Sequence, residues 1–152
     1  MSSPFKLVME SSITVGARRE EVWEVLTGAD AWIRWCDACD DVSRVPTTWV
    51  PGEQLAFKLR MAGIAVLFSV VLTECDHPSK LTWESIKYSV TATRTFTLVD
   101  SDEGTVVIDR KQFHSPVLPV RIFYPRWLVR GMTESWLADL KREAERRHRA
   151  GG

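Results

Sequence analysis

The amino-acid sequence predicts an α+β domain: a curved antiparallel sheet of about seven strands, two short helices and one long C-terminal helix laid over a cavity. Three observations carry this. Residues Phe5 to Val15 alternate apolar and polar side chains, the period of a strand with one buried face. From Val42 to His114, further alternating or continuous apolar runs are cut by short turn signals. After Trp127, Val129, Met132, Trp136, Leu140 and Ala144 recur at three-to-four spacing, which marks one face of a helix.

Taken in order, the first strand ends at Gly16, and the pattern from Ala17 to Leu26 turns helical through Val22, Val25 and Leu26. Glu20 and Glu21 fall in its first turn, where acids suit the positive end of the helix dipole. Asp30 is placed to cap a second short helix that runs through Trp35. Leu55, Phe57, Leu59 and Met61 then alternate with Lys58 and Arg60, and Ala62–Gly63 reads as a tight turn into the apolar run Ile64–Leu72. Leu81, Trp83 and Ser85 continue the pattern. The clearest strand follows: Tyr88, Val90, Ala92, Arg94, Phe96 and Leu98 share one face, with Ser89 and four threonines opposite. A turn at Asp100–Gly104 sends the chain back through Thr105–His114. Successive strands with short connections make an antiparallel meander. Pro116, Pro119 and Pro125 keep the next stretch irregular, and beyond Lys141 the charged tail is expected to fray.

The 152 residues are read as one domain, 1–152. Twenty Lys and Arg balance twenty Asp and Glu, which argues against a nucleic-acid partner, since such affinity comes from neutralising phosphates. No apolar run reaches the roughly 20 residues of a membrane span. The start of the chain lacks the basic and apolar regions of a secretory signal, and three cysteines, Cys36, Cys39 and Cys75, cannot all pair. A soluble, cytoplasmic protein is expected. Cys36, Cys39, Cys75 and His77 are zinc-type donors, but the meander puts them at opposite ends of strands of about eight residues. Zinc bonds of about 2.0–2.3 Å do not bridge that gap, so neither a metal nor another cofactor is expected.

One helix, roughly 10 Å across, cannot fill the concavity of such a sheet, so a cavity is expected between them. The residues predicted to bound it are Trp35, Phe57, Phe68, Trp83, Tyr88, Arg94, Phe96, Met132 and Trp136, at a volume of about 300–1,000 Å³. Trp23 and Trp32 are read as core. Arg94 stands out as a charge on an apolar strand face, where an unpaired ion is costly. If Val99 opposes Gly104, Arg94 falls opposite Asp109; a slip by one residue would set it against Arg110, a disfavoured like-charge pair. Tyr88 and His114 are further candidates for proton transfer.

The run ITVGARREEVWEVLTGADAWIRW, with Val22–Trp23, Trp32 and Trp35, resembles the opening of the START/Bet v 1-like superfamily (SRPBCC), which includes polyketide cyclase/dehydrase-type proteins. GMTESWLADLKREAERR is similar to that superfamily's last helix, and the order of elements matches from about Phe5 to Arg147. The resemblance implies a helix-grip fold with a ligand cavity. It leaves the reaction open, because such a fold serves many functions. Similar polyketide cyclases use pocket polar groups to bind a poly-carbonyl chain, whereas Ile64–Leu72 offers only Ser69. That departure favours binding of a mostly apolar small molecule, such as a lipid, polyketide or isoprenoid. The alternative is a cyclase or dehydratase in which Arg94 polarises a carbonyl and Asp109, Tyr88 or His114 moves protons. The apolar connector Ser115–Trp127 is expected to close over the pocket as a lid, or to be covered in a homodimer; otherwise the chain is a monomer.

Overall fold

The computed structural model describes residues 5–87, 90–115 and 126–151. Within them a seven-stranded antiparallel sheet runs in the order β1-β7-β6-β5-β4-β3-β2. The strands are β1 (Phe5–Val15), β2 (Cys39–Arg44), β3 (Gln54–Met61), β4 (Ile64–Asp76), β5 (Lys80–Lys87), β6 (Val90–Ser101) and β7 (Gly104–Ser115). From β2 to β7 each strand lies beside its neighbour in sequence, and β1 closes the order by pairing with β7, Ile13 opposite Val107. Register shifts in β2–β3 and between Leu72 and Glu74 in β4–β5 add the local bend that curls a sheet. This is the expected α+β helix-grip architecture.

The helices cover the concave face. The first, α1 (Arg19–Thr27), starts where Arg18 N donates to Glu21 Oε1 at 3.0 Å and stops where Gly28 N donates to Glu24 O at 2.9 Å. A 3₁₀ turn, Ala29–Ala31, leads into α2 (Trp32–Trp35). Asp30 therefore lies inside that turn and makes no side-chain cap. Trp32 is fully buried, and its Nε1 donates to Leu26 O at 3.1 Å. That bond lets a large indole sit in the core without an orphaned donor.

The long helix, α3 (Arg126–Gly151), lays Val129, Trp136, Leu137, Leu140 and Ala144 onto the sheet and the short helices. It does not end near Lys141 as its charge suggested. Glu143 takes hydrogen bonds from both Arg146 and Arg147, at 2.7–2.8 Å, and these hold its carboxyl down at about 2. His148 Nδ1 reaches Glu21 at 2.9 Å, and Glu145 accepts from Gly16 N at 2.8 Å. The tail's charges are thus spent on one another and on the body of the protein. No helix among the described residues is long and apolar enough to cross a membrane.

Two turns fix the geometry of the sheet. Ala62 and Gly63 have φ of 52° and 81°, the positive pair that a two-residue hairpin turn requires. Between β6 and β7 the turn is Asp102–Glu103, with Ser101 opposite Gly104. A Cβ on Gly104 would stand 2.2 Å from Val15 O, so only glycine allows β1 to approach here. The four-residue turn expected from the sequence is therefore two residues too long. Leu98 faces Val107, Phe96 faces Asp109, and Arg94 faces Lys111.

Candidate functional site

A cavity of about 130 Å³ lies between the concave face of the sheet and α3. Phe57 on β3, Phe68 on β4, Trp83 on β5, and Met132 and Trp136 on α3 form its apolar walls. Ser85, Arg94 and Lys111 are among its polar residues, and Ala92 leaves room between them. The volume falls below the expected range because aromatic rings occupy the concavity. Trp32 stands edge-on to Phe57 and Trp136, with centroids 5.5 and 5.0 Å away, and Trp83 packs on Phe96 at 5.3 Å. Trp35 and Phe96 belong to this packing and lie behind the cavity wall: Trp35 supports Trp136 at 5.3 Å, and Phe96 has no exposed surface. A dry apolar cavity of about 150 Å³ holds benzene, so the space here is of single-ring size.

The charged corner of the cavity is built across two strands. Arg94 donates from Nε to Asp109 Oδ1 at 3.0 Å and from Nη2 to Oδ2 at 2.6 Å. Although Phe96 is the residue opposite Asp109, the long guanidinium reaches it diagonally. Aromatic rings flank the cation: its carbon lies 4.5 Å from the Phe96 centroid, 5.1 Å from Trp136 and 5.8 Å from Trp83. Such contacts offset part of the cost of removing a cation from water. Asp109 has no exposed surface; with both oxygens engaged by Arg94, it is a counter-ion.

Lys111 is the residue that sequence reasoning missed. It lies two positions beyond Asp109 on the same inward face of β7, directly opposite Arg94. Its Nζ is 3.7 Å from Asp109 Oδ2 and donates to Thr133 Oγ1 on α3; the Thr133 hydroxyl donates in turn to Val129 O at 2.8 Å. Two cations therefore share one buried carboxylate. Guanidinium does not give up its proton, so any surplus charge must be shed by the amine. Burial, and then the Arg94 charge, push Lys111 down to about 7, against an opposing pull from Asp109. The signal was present in the strict alternation Val107, Asp109, Lys111. The assumed four-residue turn hid it, because shortening the turn by two residues moves the position opposite Arg94 from Asp109 to Lys111.

The remaining candidates fall elsewhere. His114 is exposed, on the face of β7 opposite the inward Asp109 and Lys111, so it does not serve the cavity. Tyr88 and the connector from 116 to 125, with its expected lid, lie outside the described residues. Trp127, at the start of α3, is 77% exposed. Cys36 and Cys39 are buried free thiols, and burial pushes both up to about 11, which makes them poor nucleophiles at neutral pH. Among the described residues, no group of three or more His, Cys, Asp or Glu side chains is placed to hold a metal.

Residues 6–145 match the family model described as polyketide cyclase / dehydrase and lipid transport. The chain belongs to this family. It is thereby a member of the SRPBCC/Bet v 1-like superfamily, as its opening helices and closing helix suggested. No curated protein matches it by sequence. Among solved structures, it is similar to the Zhui aromatase/cyclase from Streptomyces, with a TM-score of 0.81, 17% identity, and coverage of 97% of this chain and 99% of that one. The di-domain aromatase/cyclase StfQ of the steffimycin biosynthetic pathway gives 0.77 at 19% identity, covering 97% of this chain and 53% of the other. Norcoclaurine synthase from Thalictrum flavum gives 0.75 at 13% identity, with coverage of 95% and 97%. At these identities the likeness concerns the fold. The family description spans both chemistry and transport, so the choice between them rests on the cavity.

Proposed function

We propose that this family member binds a compact, mostly apolar molecule in the cavity, with an oxygen-bearing group turned toward Arg94 and Lys111. The observation that carries this reading is an apolar space of single-ring size with one charged corner. A purely structural core gains little from three ionisable groups, since apolar side chains of similar volume serve stability as well or better. The tryptophans lining the cavity provide the test. Single-ring probes should change intrinsic fluorescence saturably, and benzoate should bind at least about tenfold more tightly than toluene, because charge-assisted hydrogen bonds to its carboxylate outweigh the cost of desolvating it. Equal affinities would remove the polar end of the proposal, and no saturable change with either probe would remove the cavity reading altogether.

The second reading is cyclase- or dehydratase-type chemistry, favoured by the convergence of two basic side chains, Arg94 and Lys111, in the wall. In it Arg94 holds a carbonyl oxygen, where negative charge builds as an enolate forms. Lys111 then takes the role considered for Asp109, Tyr88 or His114. An amine that titrates near neutral pH can accept and return a proton. Loss of turnover on a small β-keto substrate in Lys111→Met, with ring binding retained, is the outcome this reading requires.

A further inference from the structure

We infer that Lys111 is a nucleophilic amine that captures small aromatic aldehydes or ketones in the cavity as an imine. The inference rests on the proposal that the cavity takes a ring-sized ligand, and adds covalent chemistry to it. Its basis is an arrangement of groups. The amine lines an apolar cavity; it lies directly across from a permanent cation, Arg94; and the carboxylate beside it, Asp109, is already taken by that cation through two hydrogen bonds. Thr133 on α3 fixes the position of Nζ, and the β1 residue opposite Lys111 is Met9, which does not titrate. Among the described residues, the charged groups acting on the amine are thus Arg94 and Asp109 alone. Desolvation beside a second cation is a recognised way to keep a lysine unprotonated and nucleophilic.

The step balances without an oxidant or reductant. The Nζ lone pair forms the C–N bond while the carbonyl π pair moves onto oxygen, and that oxygen takes up a proton released by the nitrogen. Expulsion of the same oxygen as water, with loss of the second nitrogen proton, leaves the imine. The Arg94 guanidinium alongside stabilises negative charge on the oxygen as it develops. The space beside the amine has room for about one ring, and no general acid other than water is needed.

The experiment treats the full chain with benzaldehyde and cyanoborohydride near pH 7, which converts each imine into a stable benzyl amine, and locates the label by peptide mass spectrometry. Lys58, exposed on β3, is the internal reference. Lys111 should be labelled at least about tenfold faster than Lys58, because burial beside a second cation keeps its amine nucleophilic. Its rate should rise through pH 7 and level off roughly two pH units higher, once the amine is fully deprotonated. In Lys111→Arg only the slow surface labelling should remain. Benzyl alcohol, which has the ring but no carbonyl, should protect Lys111 and leave Lys58 unaffected. Labelling at Lys111 no faster than at Lys58, with benzyl alcohol still bound by tryptophan fluorescence, overturns the imine and spares the cavity reading. Failure of benzyl alcohol to bind overturns both.

Discussion

At the scale of single residues, the decisive group is the buried carboxylate. Asp109 neutralises Arg94 through two hydrogen bonds and lies against Lys111. Asp109→Ala is therefore expected to destabilise by about 3–5 kcal/mol in urea unfolding, because it strands a guanidinium that cannot deprotonate. Lys111 makes a prediction of opposite character. Its folded-state value near 7 lies below the roughly 10.4 of an unfolded chain, so the unfolded state binds more protons across that window. Stability should rise with pH from about 7 toward 10, and Lys111→Met should flatten the rise. Unfolding measured over a pH series decides it; equal slopes for both proteins would mean that the amine is fully charged in the folded state. The need for a partner to Arg94 was legible from the sequence alone, since a charge on an apolar face demands one. Which residue stood opposite it was not, because a two-residue change in turn length moves every pair while keeping each side chain on its face.

At the scale of elements, the β6–β7 turn explains that misreading and carries its own test. Asp100 and Ser101 look like turn residues, yet both continue the strand, and the chain reverses only at Asp102–Glu103. Gly104 adopts φ of 131° with Val15 O in the space where a Cβ would go. Gly104→Ala should therefore cost about 2–4 kcal/mol by combining backbone strain with a steric clash. Gly52 has φ of 95° and nothing within 4 Å of an added Cβ, so Gly52→Ala should cost only about 1 kcal/mol. Thermal melts of the two variants side by side separate the contact from the strain. Strands were legible from alternation, and β1 was read to its last residue. The end of α3 was not, because a run of charges reads as solvated until the partner of each charge is known; Glu21 and Gly16, which hold it, are far away in sequence.

At the scale of the whole molecule, the meander of strands and the covering helix followed from periodicity, whereas the place of β1 beside β7 and the size of the cavity did not. Volume depends on how Trp32, Trp83, Trp136, Phe57 and Phe96 interlock, and no pattern in the sequence encodes a ring's rotamer. The space left over is a standing cost, since an unfilled apolar void forfeits dispersion contacts. Ala92→Leu should fill it, leaving stability unchanged or up to about 1 kcal/mol higher while abolishing fluorescence changes with single-ring probes. If that variant binds benzoate as the parent does, the ligand site lies elsewhere.

The pairing of β1 with β7 has a consequence in time. Strands β2 to β7 can assemble by adding one hairpin after another, each closing a short loop, but β1 must wait for a partner at the far end of the sheet, Phe5 opposite Ser115. Contacts so distant along the chain are the slow ones to form. Within this sheet β1 precedes the other strands in sequence, and Ile13 and Val15 are expected to stay in water until β7 is formed. Docking of β1 onto the edge of β7 is then expected late in folding. In stopped-flow kinetics, Ile13→Ala should mainly speed unfolding, and Val107→Ala, which alters the receiving strand, should slow folding as well.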